Sequence, residues 1–432
     1  MINLKYKNNK WDFWIDRGGT FTDIVAIDPN GVFHTKKILS HNPSFYKDSI
    51  IEGIRQFLKI KKNKRICSNL ISEVRIGTTV ATNTLLTKTG DKTCLFITKG
   101  FKDSLKIGDQ SRLDIFARRI IPHKTLYDNV YEISERLSNT GKVLVKIDIQ
   151  NAKILMKKAL NKGYKSAAIV LIHAWKHPKH EKILKKIAIE LGFRNVCISY
   201  DTAPLIGLNS RGDTTVVDAY LTPKLNRYTK NISLNIKNTK IFYIKSTGGL
   251  TSSKNFSGKD AVLSGPAGGV IAAVETNKLY KNYEGIIGLD MGGTSTDVFH
   301  YKDHYERSHE NIIAGNKIKV PMLNINTIAA GGGSIIKLEG SKITVGPESA
   351  GASPGPACYG MGGPATITDC NLVLGYIQAN NFPKIFGKHS NKPIDRKTSI
   401  KALKKITNDI LKFSKENISI YELAIGAISV AN

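Results

Sequence analysis

Ile15-Asp-Arg-Gly-Gly-Thr-Phe-Thr-Asp-Ile-Val25 and Leu289-Asp-Met-Gly-Gly-Thr-Ser-Thr-Asp-Val-Phe299 are two copies of one pattern, D-x-G-G-T-x-T-D between apolar flanks. Each reads as strand, glycine turn, strand. A Gly-Gly pair permits positive φ and lets backbone N–H groups approach a ligand with no Cβ in the way. Successive N–H groups in such a turn form an anion-binding nest. The threonine hydroxyl adds a donor for a phosphate oxygen. The leading aspartate, at the end of a strand, suits a hydrated Mg²⁺. One copy is an ordinary hairpin. Two copies, one near the start of the chain and one well into its second half, predict paired loops that grip a nucleotide's phosphates from both sides of a cleft.

Outward from the first copy, strand-like and helix-like stretches alternate. Helices are expected at Ser49–Ile60, Asp148–Lys162 with Asp148 as its N-cap, His180–Leu191, Thr214–Tyr228, Ser399–Ser414 and Ile420–Val430, from apolar residues recurring on one face. Strands are expected at Val74–Ile76, Thr93–Thr98, Ala167–Ile172, Val196–Ser199 and Lys240–Lys245. The alternation predicts an α/β fold. A second unit is expected to begin near residue 205, dividing the chain into residues 1–204 and 205–432.

Composition narrows the function. Among 432 residues, 41% are hydrophobic and 23% charged, which excludes a wholly disordered chain. The apolar run Ala167–Ile172 is far short of the roughly 20 residues of a membrane helix. Positive charge at the start has no apolar stretch behind it, so no secretory leader is expected and the cytoplasm is the expected location. The net charge of +29 is spread along the chain and rich in lysine beside Ile and Asn. Its densest patch, Lys59–Arg65, lacks interleaved aromatics for base stacking. It is read as compositional bias that favours anionic ligands, with no nucleic-acid partner and no membrane. Five cysteines without a C-x-x-C predict neither a zinc site nor a disulfide framework.

Two D-x-G-G-T hairpins resemble the phosphate loops of the actin/sugar-kinase/Hsp70 superfamily. More closely, the chain is similar to the hydantoinase A/5-oxoprolinase family. The resemblance is carried by Trp14–Asp23, Gly77-Thr-Thr-Val-Ala-Thr-Asn-Thr-Leu-Leu86, Arg211–Pro223, Gly248–Leu250, Leu263-Ser-Gly-Pro-Ala-Gly-Gly269, Ala329–Ile335, Val345–Tyr359 and Gly363–Asn371. Ile107–Phe116 and Phe382–Gly387 are similar to the 5-oxoprolinase branch in particular. The resemblance implies two ribonuclease-H-like domains, the second incomplete because family members continue beyond the segment resembling Ile420–Asn432. It implies ATP-dependent hydrolysis of a cyclic amide, 5-oxo-L-proline to L-glutamate, with ATP, Mg²⁺ and K⁺, and a complementing C-terminal chain or B-type subunit as partner. A hydantoin-type amidohydrolase and a non-catalytic assembly subunit are the alternatives.

The expected site follows. Asp16 and Asp290 are the expected catalytic and metal-binding carboxylates. Gly18, Gly19 and Thr20 from the first loop, and Gly292, Gly293, Thr294 and Ser295 from the second, are expected on the phosphates. Thr22, Asp23 and Asp297 are expected beside them. Thr78, Thr79 and Asn83, which follow a strand and open a helix, offer N–H and hydroxyl groups to an anion. Gly331, Gly332 and Gly333 form an expected second nest for nucleotide. Gln110 and Arg112 are expected to meet the substrate's amide and carboxylate.

Overall fold

The computed structural model describes residues 9–62, 64–110, 116, 118, 124–280, 283–340 and 342–432. Strands β1 (Trp11–Arg17), β2 (Phe21–Ile27) and β3 (Phe33–Leu39) form an antiparallel meander. In β2 the two-residue period shows directly: Thr22, Ile24 and Ala26 point inward, while Asp23 and Val25 point out. Helix α1 (Ser49–Phe57) starts at Asp48, whose carboxylate accepts from the N–H groups of Ile50 and Ile51 at 3.0 and 3.1 Å. Its Ile50 and Ile54 are fully buried, and Phe57 packs on Phe13 of β1 with ring centroids 5.9 Å apart. Strand β4 (Ile71–Thr78) then pairs with β1 in parallel.

The chain leaves this sheet through α2 (Val80–Leu86) and builds a second one from β5 (Thr93–Thr98), β6 (Tyr127–Ile133), α3 (Ile149–Asn161), β7 (Ser166–Val170), α4 (Lys179–Leu191) and β8 (Asn195–Ile198). This sheet is parallel, in the order β8-β7-β5-β6. Every residue of β5 and β7 is buried, as expected of parallel strands covered on both faces. Asp148 caps α3 as expected, accepting from the Asn151 N–H at 2.9 Å.

Helix α5 (Leu208–Asn235) runs well beyond the expected Thr214–Tyr228 and carries Pro223 inside it. A proline cannot donate to the carbonyl four residues back, and this usually breaks a helix. Here that carbonyl, of Ala219, accepts from Ser166 Oγ at 2.6 Å and Asn195 Nδ2 at 3.3 Å. The parallel sheet satisfies the group that the proline orphans, so the helix continues.

The chain then returns to the first sheet. Strand β9 (Lys240–Ile244) pairs in parallel with β4, and β10 (Leu250–Ser252) pairs antiparallel with β9. The order β10-β9-β4-β1-β2-β3 is the ribonuclease-H-like arrangement with one strand added at its end. The sheet therefore takes strands from both sides of residue 205. Residues 1–204 and 205–432 are regions of sequence, and one hydrogen-bonded sheet spans them.

Helix α6 (Ser264–Tyr280) leads into the second copy of the motif, β11 (Ile286–Met291) and β12 (Thr296–Lys302), followed by β13 (Asn326–Ile328) against β12. This meander repeats β1–β2–β3. Among the described residues no strand pairs with the far edge of β11. A hairpin of β14 (Ser334–Glu339) and β15 (Lys342–Ser349) packs with α7 (Ile367–Leu374), α8 (Arg396–Ser414) and α9 (Ile420–Ala431) around Leu403, Ile410, Leu423, Ala424 and Ala427. The main core is continuous from Phe13 to Ile325 and includes Phe299 and Met322 from the second copy's side. No helix among the described residues is long and apolar enough to cross a membrane.

Candidate functional site

The two hairpins share one local design. Gly18 N–H donates to Phe21 O and Gly292 N–H to Ser295 O, both at 2.9 Å. In the first, Asp16 lies directly opposite Asp23, and in the second, Asp290 lies opposite Asp297. Cross-strand partners project to the same face, so each hairpin sets two carboxylates side by side.

The fold also brings the hairpins against one another, and reciprocally. A methyl group on Gly19 would sit 2.5 Å from Thr294 Oγ1, and one on Gly293 would collide with Thr20 Oγ1. Each threonine is seated on the other loop's glycine, and only a residue without Cβ allows that approach. Thr20 is buried, and its hydroxyl has no hydrogen-bond partner. This leaves the hydroxyl's hydrogen-bonding capacity unused at the meeting point of the two loops.

Asp16 is reached by solvent but hemmed in by protein. That crowding, then the charges of Asp23 and Asp290, push its carboxyl up to about 6, and Lys37 offsets part of the effect. Lys37 is held by Asp23 at 2.6 Å. Asp297 is raised by burial and by Asp290, against a hydrogen bond from Thr327 Oγ1 at 2.6 Å.

Around Asp16 the end of β4 and the start of α2 close in. A methyl on Gly77 would lie 3.1 Å from Asp16 Oδ1. Thr79 N–H and hydroxyl donate to Arg17 O at 3.1 and 3.3 Å. Asn83 Nδ2 donates to Thr79 Oγ1 at 3.1 Å and lies against Gly19. Thr78 is fully buried, and its Oγ1 accepts from Val80 N–H at 3.2 Å. Thr78, Thr79 and Asn83 are thus gathered at the first loop, with much of their hydrogen-bonding capacity spent on fixing it.

Thr22, Gly331, Gly332, Gly333 and Gln110 take other places. Thr22 is fully buried, with its hydroxyl on Ser40 and Ser49 at 3.0 and 2.8 Å, and Ser40 donates to Gly18 O at 2.7 Å. It braces the first loop from behind. The amides expected to form a free nest at Gly331–Gly333 are engaged inside the protein: Gly331 N–H on Ser334 Oγ at 3.1 Å, Gly332 N–H on Gly292 O at 3.0 Å, Gly333 N–H on Gly293 O at 2.8 Å. These glycines permit close backbone approach and clamp the second loop. Gln110 is exposed at positive φ, next to Asp109, which pairs with Lys317. Arg112 lies outside the described residues. Cys358, in its glycine- and proline-rich loop, is fully buried; burial and Asp369 push its thiol up, away from nucleophilic use.

The structure adds a residue pair that the motif reading passed over. Gly265, near the start of α6, faces Thr79 and Asp16, where a methyl would lie 3.1 Å from Thr79 Cγ2 and 3.6 Å from Asp16 Oδ1. Ser264 Oγ donates to Thr78 O at 2.8 Å. The 17-residue α6 therefore begins beside Asp16 and brings the positive end of its dipole there. The signal was present in Leu263-Ser-Gly-Pro-Ala-Gly-Gly269, whose small residues leave room for such an approach.

Known proteins resemble this chain along nearly its whole length. A family model for Hydantoinase/oxoprolinase matches residues 211–432, and one for the Hydantoinase/oxoprolinase N-terminal region matches residues 12–192. 5-oxoprolinase 1 of Arabidopsis thaliana is 41% identical over 98% of this chain and 36% of its own length. Caprolactamase subunit alpha of Pseudomonas jessenii is 30% identical over 97% of this chain and 60% of its own. The crystal structure of ATP-dependent caprolactamase from that organism matches with a TM-score of 0.67, covering 97% of this chain and 61% of the other. A nucleotide-free acetone carboxylase structure, 24% identical, shares the fold at a TM-score of 0.79, with the same coverage of 97% and 61%. The chain spans little more than a third of the length of the 5-oxoprolinase it matches.

Proposed function

Because the chain belongs to the hydantoinase/oxoprolinase family, we propose that it performs the phosphoryl-transfer half of an ATP-dependent cyclic-amide hydrolysis, with 5-oxo-L-proline as substrate and L-glutamate as product. The observation that carries this reading is the convergence of two D-x-G-G-T hairpins on Asp16, with Asp290 in its field. The likeness to a caprolactamase favours a second reading with the same chemistry on a different lactam.

A lactam is resonance-stabilised, and water is a poor nucleophile for it. Transfer of the terminal phosphoryl group of ATP to the amide oxygen releases ADP and leaves an electrophilic carbon. Water adds there, the ring C–N bond breaks with a proton to nitrogen to leave an acyl phosphate, and a second water releases phosphate and the carboxylate. The phosphoryl step asks for positioning and charge neutralisation rather than covalent catalysis. The loop amides at Gly18–Thr20 and Gly292–Ser295 would hold phosphate oxygens, with the Thr20 hydroxyl as a further donor. The start of α6 adds favourable potential for the same anion.

Among the described residues, no three acidic, histidine or cysteine side chains form a ready-made metal cluster. Asp16 nonetheless fits a divalent cation. Its carboxyl is raised beside two others, and a cation there would relieve that repulsion. Mg²⁺ takes one or two carboxylates together with phosphate oxygens and water; Asp16 and Asp290 would supply the carboxylates. K⁺, a cytoplasmic location and a complementing or B-type partner belong to the same proposal and rest on the family likeness.

The test is 5-oxoproline-dependent ADP release in Mg²⁺ and K⁺. The chain is assayed with the remainder of a homologous 5-oxoprolinase supplied as a separate polypeptide. Substrate-dependent release is expected, and Asp16→Ala and Asp290→Ala should each abolish it. Release that ignores 5-oxoproline discards the substrate; full activity in both variants discards the site.

A further inference from the structure

Away from the hairpins, the parallel sheet carries a cleft of about 480 Å³ between its edge strand β6 and helix α3. That volume falls in the range of small-molecule sites, roughly 300–1,000 Å³. Its lining holds Lys99, Lys102, Lys158 and Lys162 against a single carboxylate, Glu132. Among the described residues none of these lysines forms an ion pair. Tyr131 also lines the cleft; it is 7% exposed, stacks on Phe96 with ring centroids 5.3 Å apart, and its hydroxyl has no hydrogen-bond partner. The wall thus combines a rigid aromatic surface with an unused donor.

The fold makes the lysines converge. Lys99 directly follows β5, and its N–H donates to Ile133 O at 2.9 Å, level with the carboxyl end of β6. Ligands of open α/β sheets bind outside that end of the strands. The Gly100 N–H donates to Glu132 Oε1 at 2.6 Å, so the cleft's carboxylate already holds the loop that bears Lys99 and Lys102. On the other wall, Lys158 and Lys162 lie about one helical turn apart. Side chains on a helix lean toward its N-terminus. The cap of α3 is there, where Asp148 N–H donates to Ser134 O at 3.0 Å, just past the carboxyl end of β6. The lean therefore carries both ammonium groups toward Lys99 and Lys102. A cleft lined by one sign of charge focuses the field on an incoming counter-ion.

We propose that this cleft binds a linear polyanion, a chain of two or three linked phosphate groups, free or carried by a nucleoside. Ammonium groups on flexible stems hold phosphate as point charges, whereas planar carboxylates favour the fixed fork of arginine, which the lining lacks. No lining residue belongs to either D-x-G-G-T hairpin. The site is therefore separate from the phosphate loops and stands whether or not the chain transfers phosphoryl groups.

The probes are inorganic tripolyphosphate and ATP, titrated calorimetrically onto the full chain without divalent cations. Salt is kept at about 0.15 M, where a Debye length of roughly 8 Å screens scattered surface lysines. Lysine acetylation read by mass spectrometry locates the bound probe. Saturating tripolyphosphate should slow acetylation of Lys99, Lys102, Lys158 and Lys162 at least tenfold and leave Lys59, Lys61 and Lys64 unchanged. The variant Lys99→Gln/Lys102→Gln/Lys158→Gln/Lys162→Gln alters only exposed side chains; it should keep the melting temperature and weaken binding at least tenfold. Its charge-matched control, Lys59→Gln/Lys61→Gln/Lys64→Gln/Arg65→Gln, should bind as the parent does. ATP that protects the same lysines identifies a nucleoside polyphosphate as ligand, and protection by tripolyphosphate alone identifies the free phosphate chain; both uphold the site. Equal losses in the two variants, uniform slowing over all lysines, or no binding of either probe overturns it.

Discussion

Asp16 stands opposite Asp23, within the field of Asp290, and its raised carboxyl has a thermodynamic consequence. A folded-state value of about 6 against an ordinary 3.8 means that the native state holds this proton more tightly than the unfolded chain does. Stability from this group is therefore full below the unfolded value and falls as pH rises through about 6. Without divalent cations, the melting temperature relative to an Asp16→Asn variant should fall between pH 4 and 6 and then level off. Added Mg²⁺ should stabilise the parent chain at pH 7 and leave Asp16→Asn nearly unchanged. Equal pH profiles of the two proteins would remove Asp16 from the account. At Gly293 the question is steric. Gly293→Val drives a branched side chain into Thr20 and should cost about 1–3 kcal/mol in urea unfolding. Combining it with Thr20→Gly, which also removes the Thr20 Cβ that would lie 2.8 Å away, should recover most of that loss, a coupling that a double-mutant cycle reads directly.

Elements were legible in the sequence where their cause was local. The hairpins at Asp16–Asp23 and Asp290–Asp297 could be read because a glycine turn and a two-residue period sit side by side in the chain. The Asp148 cap was legible for the same reason. What was not legible depended on partners far away in sequence. Helix α5 outruns its expected limits because Ser166 and Asn195 donate to the Ala219 carbonyl that Pro223 leaves free. The amides of Gly331–Gly333 looked available, and their acceptors lie mainly on the second loop. Arg211, near the start of α5, is fully buried; it donates to Ser199 Oγ at 2.7 Å and to the carbonyls of Leu171, Leu205 and Ile206 at 2.7, 2.7 and 3.2 Å. The same Ser199 serves Glu181, which burial pushes up to about 7. Arg211→Leu strips the donors from this group and should cost about 3–5 kcal/mol in urea unfolding. A loss under 1 kcal/mol would show that water replaces the guanidinium.

Over the whole molecule, one core runs from Phe13 to Ile325, and the first sheet needs β9 and β10 from beyond residue 205. A fragment of residues 1–204 would lack those strands and α5, and it should not fold cooperatively. Its far-ultraviolet circular dichroism should melt without a sharp transition, where the full chain gives one. A sharp transition in the fragment would mean that the parallel sheet of β5–β8 folds alone. The two threonine–glycine seats set how closely the two hairpin loops approach. Thr20 rests on Gly293 and Thr294 on Gly19, with no spare thickness in either joint. An atom lodged between the loops must first part these two contacts, so the gap between the hairpins becomes a gauge of what the site contains.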